Sequence, residues 1–311
     1  MNRRSVTTKK VLLTSLFVDA IDVTTNVTVA IFTGSVVMLA EAMEGLADMA
    51  SVSMLLVGFK RSQKRSNKQH PFGYGKEQYF WALLSTFLIL GVTSTLSFFF
   101  GLQAFLHPEP IRYVGAAYVI LTIAICSNGY ALQLSLRKLD AQRSWRRFPK
   151  TFMESSAVTL KTAIVLDAMG TLAALFGLIA LVIYGITGNG RFDGIGAMSI
   201  GVILLALALL LIFSTKELVT GRSAPEEMEL KIHDAAMKIP EVQRVLDLRT
   251  MMLGPDKVLA NIEIHLQDDL TTDEIEKIID KIKRRVRRDV PIEVHVNVEP
   301  ETPPRKRSSA V

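Results

Sequence analysis

The stretch "AEAMEGLADMA" (residues 40–50) sets three carboxylates, Glu41, Glu44 and Asp48, inside a run that is otherwise apolar. Their offsets of 0, 3 and 7 stack them on one face of a helix over two turns. A second stretch, "DAIDVTTN", repeats that spacing with Asp19, Asp22 and Asn26, and a third, "KTAIVLDAMG", carries Lys161 and Asp167. At about 2.5–3.5 kcal/mol for each mid-membrane Asp, lipid-facing acids in this number would cost on the order of 15–20 kcal/mol. They must therefore face each other, a water-filled cavity or a cation. A lone acid of this kind can serve as a helix–helix hydrogen-bond site, and one near a helix end can reach the interface. Glu41, Asp19 and Asp22 fit those readings as well as a ligand role. Glu44, Asp48 and Asp167 lie far from the ends of their runs, with Lys161 as the only nearby cation. Carboxylates converging from two helices suit a divalent cation, because they supply charge and hard oxygen ligands and take up protons when the metal leaves. Metal and proton then compete for one site, which is the chemistry of an antiporter.

Long apolar helices are needed to position these acids. Hydrophobic residues make up 49% of the 311, and the charges crowd into a few short stretches. Six segments, at roughly 11–33, 35–58, 79–105, 112–135, 152–184 and 194–215, are each long enough to cross a hydrocarbon core of ~30 Å at ~1.5 Å per residue. The N-terminus, "MNRRSVTTKK", runs into the first of them without a small-residue cleavage site and reads as the approach to a spanning helix. Basic residues cluster at Arg3, Arg4, Lys9 and Lys10, at Lys60, Arg61, Lys64, Arg65, Lys68 and Lys76, and at Arg137, Lys138, Arg143, Arg146, Arg147 and Lys150. The other side offers only Arg112 and Arg191, so the positive-inside bias puts both termini in the cytoplasm of an integral, multi-pass protein. The net charge of +6 sits in the gaps between apolar runs, where it suits membrane lipid headgroups and not a nucleic-acid surface. A single cysteine, Cys126, excludes a disulfide framework or a thiolate metal site within one chain. No nucleophile with its base, phosphate loop or cofactor fingerprint is present, so neither an enzyme nor a resident cofactor is indicated.

From about Glu217 the composition becomes that of a soluble domain. "SAPEEMELKIHDAAMKI" predicts a helix, "VQRVLDLRTMML" and "VLANIEIHLQ" two strands around the turn "GPDK", and "TTDE" (Thr271 to Glu274) a capping box opening another helix. "IEVHVNVEP" closes the domain as a third strand, and "ETPPRKRSSAV" reads as a disordered tail. The fold expected is thus an all-α six-helix transmembrane bundle over residues 1–216, a small α+β domain of αββαβ order over 217–300, and a tail over 301–311.

Two segments carry a family resemblance: "TGSVVMLAEAMEGLAD" at Thr33 to Asp48 and "HPFGYGKEQYFWALL" at His70 to Leu84. They resemble the cation diffusion facilitators, in particular the subgroup with HPFGYG opening its third span, which includes the zinc transporter nine relatives. The similarity runs from about residue 10 to 300. It implies a homodimeric exporter of divalent metal, driven by proton counterflow through alternating access, with a ferredoxin-like cytoplasmic dimerisation domain.

The family's central site takes two residues four apart from span 2, here Glu44 and Asp48, and two from span 5, here Ala163 and Asp167. The Ala is a departure, and Leu166 stands where the subgroup has Glu. Glu41, Asp22, Asn26 or water are the candidates to complete the shell. With no His on either helix, the set leans toward oxygen-preferring metals such as Mn²⁺ or Fe²⁺, although Zn²⁺ also accepts carboxylate. Lys161 lies well off the Asp167 face and reads as snorkelling to the cytoplasmic interface. The resemblance also points to cytoplasmic metal sites. His70 matches one, with Tyr74 in place of its second His. Regulatory-metal candidates in the C-terminal domain are His233, His265, His295, Asn297 and Glu299, with a solvated polar face as the alternative. The expected setting is a prokaryotic inner membrane. A transport-incompetent membrane sensor or scaffold and a proton-coupled organic cation carrier remain the alternative functions.

Overall fold

The computed structural model of the protein describes residues 2–139 and 148–302. Arg143, Arg146, Arg147 and the tail from 303 onward lie outside the described residues, as do the side chains of Arg3, Arg4, Lys9, Lys10 and Lys150. The chain divides into two compact units, one built from the chain up to Gln63 and from Glu77 to Lys216, the other from Lys64–Lys76 and the chain from Glu217 on.

The regular elements described in the first unit are all helices. α1 (Asn2–Thr33) and α2 (Val36–Ser62) form a hairpin whose corner is Gly34, at φ +71° in the left-handed region that favours glycine. Ser35 then caps α2, its Oγ accepting from Met38 N. α3 (Glu77–Leu88) and α4 (Thr95–Leu106) make one continuous span through a π-helical turn at Ile89–Ser94. α5 (Val114–Leu139), the short α6 (Phe148–Glu154), α7 (Val158–Thr187) and α8 (Arg191–Thr220) complete the unit.

The fifth expected segment, 152–184, is therefore not one helix. Ser155 Oγ accepts from Ala157 N at 3.2 Å, and the non-helical Ala157 (ψ 73°) separates α6 from α7. A serine side chain here offers the backbone an alternative to the helical ladder. Among the described residues five helices are long and apolar enough to cross a membrane: α2, the α3–α4 span, α5, α7 and α8. α1 runs 32 residues and carries Asp19, Asp22 and Asn26 within it.

The unit is apolar on both inside and outside. Its core gathers Val37, Met38, Leu121, Met169, Ile200 and Leu204 from four helices. Its exposed surface includes Phe99, Val119, Ile123, Ile186 and Phe213. An exposed surface with this many large apolar side chains suits hydrocarbon and not water. Close helix contacts use glycine: a Cβ on Gly101 of α4 would lie 2.6 Å from Met198 N, and one on Gly194 of α8 would lie 2.5 Å from Phe105 N. α4 and α8 thus touch backbone to backbone, as small residues allow in membrane bundles.

The second unit has the expected αββαβ order: α9 (Glu226–Met237), β1 (Val242–Gly254), β2 (Lys257–Leu266), α10 (Thr272–Asp289) and β3 (Glu293–Pro300). The sheet runs β1-β2-β3, antiparallel then parallel. Alternation on β2 buries Val258, Ala260, Ile262, Ile264 and Leu266 in one core with Ile232 and Ala236 of α9 and Ile278, Ile282 and Val286 of α10. The other sheet face is polar. Segment Lys64–Lys76, the chain between α2 and α3, belongs to this unit. Gly75 lies so close to Leu253 O and Gly254 that a Cβ there would collide with backbone, and the Phe72 ring stands edge-on to His295 with centroids 5.5 Å apart. The glycines of "HPFGYG" thus let the segment lie flat on the β1–β2 turn.

Two outcomes follow from this packing. Gly101→Ala is expected to destabilise the bundle by about 1–3 kcal/mol, as overpacking does, whereas Gly91→Ala, which meets nothing within 4 Å, leaves thermal unfolding in detergent unchanged. In the second unit, Glu274 Oε2 accepts from both Thr271 N and Thr271 Oγ1 at 2.8 Å. The Thr271 backbone bond, followed by its hydroxyl, holds the Glu274 carboxyl below the usual range. A depressed pKa contributes stability above the ordinary glutamate range that is lost as pH falls. Glu274→Ala should therefore lower the denaturant midpoint at neutral pH, with the gap closing below about pH 4.

Candidate cation site

The two 0-3-7 stripes meet. A Cβ on Gly45 of α2 would lie 2.8 Å from Val23 Cγ2, so α1 seats Val23 directly on that glycine. This antiparallel register puts Asn26 level with Glu41, Asp22 with Glu44, and Asp19 with Asp48, like rungs. The charges agree: Glu44 feels Glu41, Asp22, Asp19 and Asp167, and Asp48 feels Glu44, Asp19, Asp167 and Asp22. Asp167, on α7, thereby joins the rungs that hold Glu44 and Asp48. Glu41 interacts with Asp22 and Asp48, one turn further along.

Glu41 and Glu44 are buried, at 2% and 5% exposure, and Asn26 at 2%. Among the described residues, Glu41 Oε1, Glu44 Oε1 and Asn26 Oδ1 are enclosed and accept no hydrogen bond. Asn26 Nδ2 reaches Asp22 Oδ2 at 3.5 Å. An enclosed oxygen without a donor is destabilising unless something electropositive fills the gap. Hard anionic and amide oxygens from three helices are a donor set for a divalent cation or for protons. Among the described residues no three His, Cys, Asp or Glu side chains close tightly enough around one point to hold a metal in this conformation.

Two contributors on α5 carried no signal in the sequence. Ser135 Oγ donates to Asp167 Oδ2 at 2.9 Å, fixing one carboxylate oxygen and leaving the other for a cation. Asn128, two turns earlier on the same face, sits against Gly170 of α7, where a Cβ would lie 2.5 Å from Asn128 Nδ2 and 3.4 Å from Glu44 Oε1. The nearby basic residue also differs from expectation. Lys138, at the end of α5, acts electrostatically on Asp167. Lys161 does not snorkel: it is fully buried, donates to Met153 O at 2.9 Å, and lies 5.5 Å from the Phe152 ring. Its ammonium serves the carbonyl end of the short α6. Ala163, one turn before Asp167, offers no donor atom, and Leu166 is buried in the apolar core.

The expected sites in the second unit are dispersed. The His70 ring lies tilted against Tyr74 with centroids 4.3 Å apart, Asn67 Nδ2 donates to the Tyr74 hydroxyl at 3.0 Å, and Lys64 Nζ lies 5.8 Å from the Tyr74 ring. That arrangement orders the loop. On the polar sheet face, Asn261 pairs with Asn297 and Glu263 with Glu299, while His295 stands opposite Leu259. Asn297 Nδ2 donates to Glu299 Oε1 at 3.0 Å, and His265 Nδ1 lies 3.2 Å from Glu301 O. His233, 3.3 Å from Asp234 Oδ1, is on α9 across the sheet from the others.

Comparison with known proteins bears on what this arrangement serves. The mitochondrial proton-coupled zinc antiporter SLC30A9 of Mus musculus is 26% identical over 265 residues, covering 85% of this chain and 47% of that protein. The chain thus spans about half the length of the curated relatives it matches first. The cation-efflux pump FieF of Klebsiella pneumoniae is 25% identical, covering 81% of this chain and 79% of FieF. A solved variant of the MamM CTD is 25% identical, covering 25% of this chain and 95% of that one, with a TM-score of 0.22. Residues 12–218 match the cation efflux transmembrane domain, and residues 224–301 match the cytoplasmic domain of cation efflux proteins. With two-thirds of its length in the first of these and its acids in the core of that region, the chain belongs to the cation efflux family, the cation diffusion facilitators.

Proposed function

We propose that the protein exports a divalent transition-metal cation from the cytoplasm in exchange for protons, as a homodimer in a prokaryotic inner membrane, with both termini cytoplasmic. The observation that carries this reading is the convergence of Glu44, Asp48 and Asp167 from α2 and α7, together with enclosed oxygens that accept no hydrogen bond. Relatives named as a proton-coupled zinc antiporter and a cation-efflux pump support it. The cytoplasmic basic clusters support the orientation.

In this mechanism Glu44, Asp48 and Asp167 bind the metal in an inward-facing state. The α1 acids enter the same field, so the group cannot stay fully ionised without a cation. Rocking of the helices exposes the site to the other side, where protons take over the oxygens and release the metal. Binding and release then use one set of atoms, and their competition is the coupling. With no His among these residues the site favours Mn²⁺ or Fe²⁺ over softer metals while still accepting Zn²⁺. Asp22 and Glu41, whose charges bear on Glu44, Asn26, which donates to Asp22, and water are the candidates for the donor missing at Ala163.

Metal uptake into reconstituted vesicles under a pH gradient, with Zn²⁺, Mn²⁺, Fe²⁺ and Co²⁺ in turn, tests the reading. Glu44→Gln, Asp48→Asn and Asp167→Asn should each lower flux by about a hundred-fold or more, at least the loss that outer partners of metal ligands produce. Flux unchanged in all three variants would contradict the transport site. Flux absent from the unaltered protein, with metal binding retained, would favour the sensor reading instead.

A further inference from the structure

Among the described residues, one buried carboxylate of the helical unit lies outside the acid cluster. Asp193, in the first turn of α8, is 4% exposed. Its Oδ1 accepts from Ser35 Oγ at 2.6 Å and from Val37 N at 3.0 Å, and its Oδ2 accepts from Val36 N at 2.7 Å. Val36 and Val37 open α2, so their N–H groups have no partner within their own helix. Ser35 Oγ, having donated to Asp193, accepts from the next amide, Met38 N, at 3.4 Å. The start of α2 is thus capped in relay from a residue more than 150 positions away in sequence. The negative charge also lies at the positive end of the α2 dipole, which compensates its burial.

The adjoining contacts make the joint tight. Val37 is fully buried; a Cβ on Gly177 of α7 would lie 2.7 Å from Val37 Cγ1, and one on Gly196 of α8 would lie 2.6 Å from Val37 Cγ2. The side chain is therefore keyed between two glycines on two helices. Gly194, next to Asp193, is in backbone contact with Phe105 of α4. The first turn of α8 is joined to α4 on one side and to the start of α2 on the other. These contacts fix both the position and the rotation of α2 where it begins.

Glu44 stands eight residues beyond Val36, about 12 Å along the helix, so a tilt of about 5° at the cap displaces its carboxylate by about 1 Å. A displacement of that size is enough to spoil a ligand geometry. We propose that Asp193 is a positioning residue for cation transport: by capping α2 from the first turn of α8, its carboxylate sets the orientation of the helix that carries Glu44 and Asp48. The inference rests on the transport reading above. Asp193 itself does not touch the ion.

The role predicts that the charge can be moved. In Asp193→Ser the trans cap is lost, and in the exchange Asp193→Ser with Ser35→Asp a carboxylate returns to the start of α2 from its own N-cap position. The measurement is Zn²⁺ and Mn²⁺ flux in reconstituted vesicles for the full chain, resolved into KM and maximal rate, with thermal unfolding in parallel. Asp193→Ser should raise the metal KM by about ten-fold with a smaller change in maximal rate, and the exchange should recover most of that loss. An unchanged KM in Asp193→Ser overturns the proposal, as does a raised KM that the exchange fails to recover. If Asp193→Ser does not fold, the exchange alone decides: near-native KM supports the role, and failure to fold or to transport overturns it. Flux absent from the unaltered protein would instead sink the transport reading, and this inference with it.

Discussion

Repulsion among clustered carboxylates, with Glu41 and Glu44 buried and Asp19, Asp22, Asp48 and Asp167 half-buried, is the interaction on which the rest of this structure depends. The neighbours whose charge acts on Glu44 and Asp48 are themselves acids, drawn from α1, α2 and α7. Desolvation removes the screening that would make such proximity harmless in water. A helix bundle can hold these groups together only if its scaffold is firm and if cations or protons are admitted. The close glycine contacts supply the firmness: Gly45 lets α1 meet α2, and Gly101 and Gly194 let α4 meet α8. In the proposed mechanism the admitted cation is the exported one.

Surroundings on α5 tune the acids through a hydroxyl, an amide and one cation. Ser135 holds one oxygen of Asp167, and Lys138 acts on the same carboxylate from the end of the helix. Asn128 fills the space left by Gly170 beside Glu44. At Asp167 these surroundings are a neutral hydroxyl donor and the charge of Lys138. Lys161 donates to the Met153 carbonyl of α6. A transport site has to release its ion as well as bind it, and this environment is consistent with both.

What the sequence disclosed was whatever repeats with the period of a helix or a strand. The 0-3-7 spacing revealed the stripes on α1 and α2, and alternation revealed the αββαβ order and the polar sheet face that holds Asn261, Glu263 and Asn297. What it concealed was anything that depends on register between distant segments. The pairing of the two stripes needs Val23 on Gly45, Ser135 needs α5 laid along α7, and Asp193 needs the first turn of α8 beside the start of α2. The break before Val158 was missed because Ser155 interrupts the helix by side-chain hydrogen bonding and not by being Gly or Pro. The glycines of "HPFGYG" were visible as a motif, but their reason, Gly75 flat against Leu253 and Gly254, lies on a strand some 180 residues away.

The central claim is that one set of buried carboxylates exchanges protons for a divalent metal. Titrating the purified protein with Mn²⁺ or Zn²⁺ in weakly buffered detergent solution, while following proton release, tests it most directly. Metal binding should release protons, and Asp48→Asn combined with Asp167→Asn should abolish most of that release while leaving any contribution from the C-terminal unit. Binding without proton release, or release undiminished in the double variant, would contradict the account.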